Sequence, residues 1–420
     1  MQVIQFVVLL SSVCVHQASP GVLQTTALEA PAASKPRALC DAPIERFQIE
    51  LLEQAFRSAS TMPLNPHIKD RSRAQDSTVA ACLELDQPTR ALAYVDHIAN
   101  WRKASGYADV AYYCATNGWI EHVQPLLDRA EQIAQTAEDA ETGQTWRIDR
   151  VRGNLARTYL HLGRTEDAER LSQGIMESEG GRVSSSIIAR LDNSKFDEHM
   201  AQVDAAVTAG GFEQTQAALV VCAQLFARFY TESNLRTRAE DKIKASWGKL
   251  PFMIRIDLLA LMAEAALTHE DRAKALSLVD EADSIRRGTT WAVEHELPLI
   301  AKICALRFRA GDPLVARSGV DAGMELFQTG QSSIPDLFLA GALRPLAETY
   351  ALMGDAAAAL AAYRQVVDAG ARNQNPRPRA EDLTATCLSM AVQGIAPDAE
   401  LRAKLQSILN GLDQLWRQGS

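Results

Sequence analysis

Ser246 and Lys249 spell the S-x-x-K spacing in which a lysine base can activate a serine nucleophile one helical turn away. The companion motifs of that chemistry are missing, and Gly248 and Pro251 mark a helix end there, so the match reads as a coincidence of two common residue types. The 8 histidines are singly spaced, with no pair at the separation that would let two imidazoles share a metal on one helix face. There is no H-E-x-x-H, no glycine-rich phosphate loop ending in Lys-Ser/Thr, no dinucleotide fingerprint and no G-x-S-x-G elbow. Carboxylate pairs such as Glu166 with Asp167, or Glu281 with Asp283, fall on polar helix faces, where nothing marks one as acid and the other as base. The expectation is no catalytic residue, no metal and no cofactor.

Cysteine usage points the same way. The 7 cysteines are widely scattered without a C-x-x-C, which argues for buried thiols packing as small hydrophobes rather than for a zinc site or a dense disulfide framework. A Cys40–Cys82 bridge is left open, since an oxidising compartment would permit it.

Charge narrows the partners. With 43 Lys and Arg against 52 Asp and Glu, the net charge is -9, and long-range electrostatics repel nucleic-acid backbones and anionic membranes. The basic stretch Arg372, Arg377 and Arg379 reads as a solvated loop.

The positioning elements are helices. The chain has 420 residues, enough for two or three domains or one extended array; it is rich in Ala and Leu, only 6% aromatic, and lacks the alternation of half-buried strands. Its first 28 residues carry no Lys, Arg, Asp or Glu, and the apolar run Val3 to Val15, with small residues at Ala18, Ser19 and Gly21, reads as an export signal over 1–21 despite lacking a basic start. A Pro/Ala/Thr-rich linker over 22–41 follows, before a helical stripe opens at Ile44.

Internal repetition is visible downstream. Leu155, Ala156, Tyr159, Gly163 and Ala168 recur in spacing as Leu346, Ala347, Tyr350, Gly354 and Ala359, with Tyr363 added. A small residue on each helix lets two backbones approach, the glycine supplies the left-handed exit between them, and the tyrosine fills the gap to the next hairpin. Looser copies run through Ala111, Gly118 and Ala130; Met262, Ala263, Ala275 and Ala282; and Ile303, Cys304, Gly311 and Ala316. Hairpin turns are expected near Asp86, Gly118, Gly163, Gly211, His269, Gly311 and Gly354.

The segments NLARTYLHLGRTEDAERL and PLAETYALMGDAAAALAAY resemble the tetratricopeptide repeat (TPR) family. Most turns here are separated by more than the family's usual period of about 34 residues, so this is a long-period variant. The resemblance implies an all-α fold, a right-handed superhelical array (α-solenoid) of about six to eight antiparallel hairpins over 42–375, with capping helices over 376–420. It also implies that the first helix of each hairpin lines a concave groove. Carried over position by position, the groove residues are Arg150, Arg157 and His161 in the first clear unit, Tyr112 beside Ala111, and Arg344 and Glu348 in the last. Arginines so placed suit an acidic or C-terminal peptide. Tyr107, Tyr112, Tyr113 and Trp119 cluster around one hairpin and read as packing between adjacent hairpins, with a hydrophobic contact surface as the alternative.

The function implied is a non-catalytic protein- or peptide-binding scaffold, periplasmic or secreted, with no integral membrane segment in the mature chain. A cytoplasmic ligand-responsive regulator is the alternative, and an enzyme of the cell envelope built on a helical superstructure is a third.

Overall fold

In the computed structural model, residues 38–140, 145–175 and 181–418 are described; the expected signal and most of the expected linker lie outside them. Residues from Ala38 onward form one compact unit. Its helices alternate between two layers. One layer holds α2 (Leu64–Glu84), α4 (Arg102–Thr116), α6 (Thr145–His161), α8 (Gly181–Ile188), α10 (Phe212–Arg228), α12 (Phe252–Thr268), α14 (Val293–Arg309), α16 (Asp336–Leu352) and α18 (Pro376–Val392). The other holds α1 (Arg46–Thr61), α3 (Pro88–Val95), α5 (Ile120–Ala140), α7 (Thr165–Ser172), α9 (Phe196–Ala209), α11 (Ser233–Ser246), α13 (Arg272–Arg287), α15 (Pro313–Gly330) and α17 (Ala356–Arg372), with α19 (Ala399–Gln418) outside them.

The even-numbered helices pack each on the next, from α2 through α18, and α18 packs back on α2. The circuit is closed. Cross-helix pairs advance together along neighbouring helices, as Asn154 on Ser105 and Arg157 on Asp109, or Lys302 on Asp257 and Arg309 on Glu264, so these helices run parallel. In a closed two-layer ring the helices that touch all the way round occupy the smaller circumference, so they form the inner wall.

The antiparallel mates come from the repeat spacing seen in sequence. Ala156, Ala168, Ala347 and Ala359 are buried at the helix–helix contacts, and Tyr159 and Tyr350 are buried beside them. Gly163 and Gly354 exit their helices at φ +78° and +77°, a conformation cheap only for glycine, and the following N–H closes the turn on Tyr159 and Tyr350. Asp86 and Glu270 make the same left-handed exit without being glycine.

Four points of the sequence reading change or are decided. Gly211 follows the left-handed Gly210 and joins an outer helix to an inner one, whereas the turn between α10 and α11 contains no glycine, so the register slips there. Cys40 and Cys82 are both free thiols, the first exposed and the second buried. Part of the expected flexible linker is fixed, because Asp41 accepts from the backbone N–H and hydroxyl of Thr89 at the start of α3.

The fourth change is the largest: instead of an open superhelix ending in a solvated cap, α18 is the last inner helix and α1 is its outer mate. Ser58 donates to the Ala380 carbonyl at 3.0 Å, Thr384 to that of Ala55 at 3.3 Å and Gln48 to that of Ala391 at 2.8 Å, an antiparallel register. The beginning of the described chain thus completes the last hairpin of the circuit. The reason lies in α1: its apolar stripe of Leu51, Leu52, Ala55, Phe56 and Ala59 needs a partner face, and α18 offers Ala380, Leu383, Cys387 and Ala391.

Candidate functional site: the inner wall

α8 packs on α6 and α10; every other inner helix has three faces covered, by two inner neighbours and by an outer helix. The fourth is the inner wall. On α6 it carries Arg150, Arg157 and His161, and on α4 Asp109 and Tyr112. The Arg157 guanidinium donates to Asp109 Oδ1 at 3.1 Å and lies 3.8 Å from the centroid of the Tyr112 ring, whose edge meets His161 at 5.8 Å. Asp109, Arg157, Tyr112 and His161 therefore form one interlocked ladder between two helices. Burial, and then the nearby Arg190, hold His161 below its ordinary pKa, against a hydrogen bond with the Ala115 backbone.

This refines the sequence reading. Arg157 is already engaged with Asp109 and with the Tyr112 face, so it is not poised as a carboxylate fork. Arg150 stands apart from the ladder, its guanidinium carbon 5.9 Å from the Trp101 ring centroid and 5.4 Å from that of Trp146.

Arg344 and Glu348 lie on α16, reached from α4 through α2 and α18. They pair weakly with each other at 3.7 Å. Ser389 of α18 donates to Glu348 at 2.7 Å and shares a 2.6 Å hydrogen bond with the Tyr363 hydroxyl. Glu84, on α2, has its pKa raised by burial and then by the negative charge of Glu348.

The closure makes these clusters continuous. Arg73 of α2 pairs with Glu381 of α18 at 2.8 Å, Arg377 of α18 with Asp70 of α2 at 3.6 Å, and Arg102 of α4 with Asp76 of α2 at 2.7 Å. Five successive inner helices, α16, α18, α2, α4 and α6, thus share one polar wall although they come from opposite ends of the sequence.

Sequence reasoning missed Arg73, Asp76, Glu84, Arg102, Asp109 and Glu381. Asp109 was within reach, since it sits one helical turn before Tyr112 on the same face. Arg102 and Asp76 pair between the neighbouring α2 and α4, whereas Arg73, Glu84 and Glu381 needed the closure.

The remaining residues with chemical potential make contacts within the fold. Ser246 is buried at the end of α11, while Lys249 donates to the Val207 carbonyl at 3.2 Å. His269 stacks on Tyr230 at 4.6 Å, and Tyr107 and Tyr113 direct their hydroxyls to Asp96 and Asp86. Among the described residues no group of three or more His, Cys, Asp or Glu could hold a metal, and no helix is long and apolar enough to cross a membrane.

The chain is built of repeated, antiparallel helical hairpins. No family model matches it, and no curated protein does. Among solved structures it is similar to a circular tandem repeat protein with novel repeat topology and enhanced subunit contact surfaces, at 15% identity over 89% of this chain and 95% of that one, with a TM-score of 0.30. The ring described above rests on its own helix contacts.

Proposed function

We propose that this chain is a non-catalytic scaffold of the tetratricopeptide type that binds a protein or peptide along its inner wall, without a cofactor, in an exported setting. The observation that carries the reading is the continuous polar wall over α16, α18, α2, α4 and α6. Its side chains are held by partners on neighbouring helices, so little rotamer entropy remains to be lost on binding. Charges of both signs in fixed order favour one partner register over others. Export is supported by the uncharged, apolar start of the sequence.

The test is affinity capture from the native host with the wild type and two folded variants, Arg150/Arg157/His161 to Ala and Arg344/Glu348 to Ala. A partner retained by the wild type and lost from both variants supports the inner wall. Retention by both overturns it. N-terminal sequencing of the mature protein tests export: a start near residue 22 supports it, and an intact Met1 contradicts it.

A further inference from the structure

Asp382 lies on α18, the inner helix against which the start of the described chain closes, and fills the space beside Gly370 of α17. A Cβ built at Gly370 would meet the Asp382 Cβ at 3.0 Å, its Oδ2 at 3.4 Å and the Ala340 Cβ at 3.6 Å, so the carboxyl stands where α16, α17 and α18 meet. Its Oδ2 is buried and has no hydrogen-bond partner. Two turns further along the same face of α18, Ser389 donates to Glu348 of α16. Ala340 and Glu348 share one stripe of α16, and Arg344 sits midway between them. The guanidinium thus has a carboxyl group about one helical turn, ~5.4 Å, away along the axis in either direction.

Arg344 leans toward Glu348, at a long 3.7 Å. Glu348 needs the cation less: its side chain is 36% exposed and already accepts from Ser389. Asp382 has neither water nor donor at Oδ2, and burial raises its pKa to about 7. Among the described residues, Arg344 of α16 opposes that rise and the adjacent Glu381 adds to it, Glu381 itself being paired with Arg73 of α2. α17 presents Gly370 at this point, and no charge from α1, α17 or α19 acts on the carboxyl. Once ionised, a carboxylate so buried attracts Arg344 more strongly than the half-solvated Glu348 does.

We propose that Asp382 is a positioning residue of the inner wall: with its proton on, Arg344 pairs with Glu348, and with its proton off, Arg344 swings toward Asp382 and leaves Glu348 to the wall. This deepens the inner-wall reading and rests on it. The swing occurs near neutral pH. It reorders the charges a partner meets across α16, α18 and α2, where Glu84 already responds to Glu348.

The experiment measures urea midpoints of the full chain at pH 5.5 and at pH 8.5 in two double-mutant cycles, Arg344→Gln with Glu348→Gln and Arg344→Gln with Asp382→Asn. The substitutions are near-isosteric, so midpoints stay measurable. The Arg344–Glu348 coupling is expected at pH 5.5 and at least halved at pH 8.5, while the Arg344–Asp382 coupling emerges only at pH 8.5. In the Asp382→Asn background the Arg344–Glu348 coupling no longer changes with pH, which a merely structural Asp382 would not bring about. An Arg344–Glu348 coupling equal at both pH values with Asp382 in place, or no Arg344–Asp382 coupling at pH 8.5, overturns the proposal. The couplings are read without a partner, so such a failure leaves the inner wall to its own test by partner capture.

Discussion

Ser58 in the first helix donates its hydroxyl to the backbone carbonyl of Ala380, 322 residues later, at 3.0 Å. Both residues are fully buried, so the bond lies inside a helix–helix contact and not on a surface where water would compete. Substituting Ser58 by Leu places extra carbon atoms between α1 and α18. Overpacking of this kind costs ~1–3 kcal/mol, and urea denaturation will show a lower midpoint than for Ser58→Ala.

Cys304 and Gly319 make a second close approach, between α14 and α15. A Cβ at position 319 would lie 2.5 Å from the Cys304 Sγ, closer than atoms can sit. Gly319→Ala therefore destabilises by ~1–3 kcal/mol. The double variant Gly319→Ala/Cys304→Ala recovers part of that loss, because the clashing sulfur is gone, and a double-mutant cycle in urea measures the coupling.

Asp382 sits on α18 against Gly370 of α17, with its Oδ2 buried and without a hydrogen-bond partner. Burial raises its pKa to about 7; Arg344 opposes the rise and Glu381 adds to it. Because the folded pKa exceeds the unfolded value of about 3.9, the folded state holds the proton more tightly, and stability falls as pH rises from about 4 to about 7. Asp382→Asn removes this component and leaves the protein ~2 kcal/mol more stable than wild type at pH 8, read as a difference in urea midpoints across pH.

Thiol reactivity follows burial. The pKa is pushed to about 12 for Cys82, Cys222 and Cys387 and to about 11 for Cys114 and Cys304, with burial the largest cause in each. The thiolate is the reactive form, so these five stay inert to a thiol reagent at pH 8 in the folded protein. In a Cys14→Ser chain one thiol, the exposed Cys40, reacts promptly, and the rest react on adding denaturant.

The strong repeats were legible because their determinants are local. Ala156, Gly163 and Ala168 lie within one hairpin, and their spacing fixes two helices and the turn between them. Gly211 misled, because a glycine serves equally well as an exit from an outer helix. The closure was illegible: neither the stripe of Leu51, Ala55 and Ala59 nor that of Ala380, Thr384 and Ala391 names its partner, and only their shapes match. Candidate side chains divide the same way: Arg344 and Glu348, one turn apart on one helix, could be named from the sequence, and the pairing of the distant Arg73 and Glu381 could not.

The account depends most on α1 completing the hairpin of α18, and hydrogen exchange tests that directly. Amide exchange is compared between the full chain and one lacking residues up to 62. Loss of α1 is predicted to raise exchange along residues 376–392 while leaving residues 252–287, across the ring, close to the full-chain rates. Unchanged protection of residues 376–392 would contradict the closed ring, and with it the continuous inner wall.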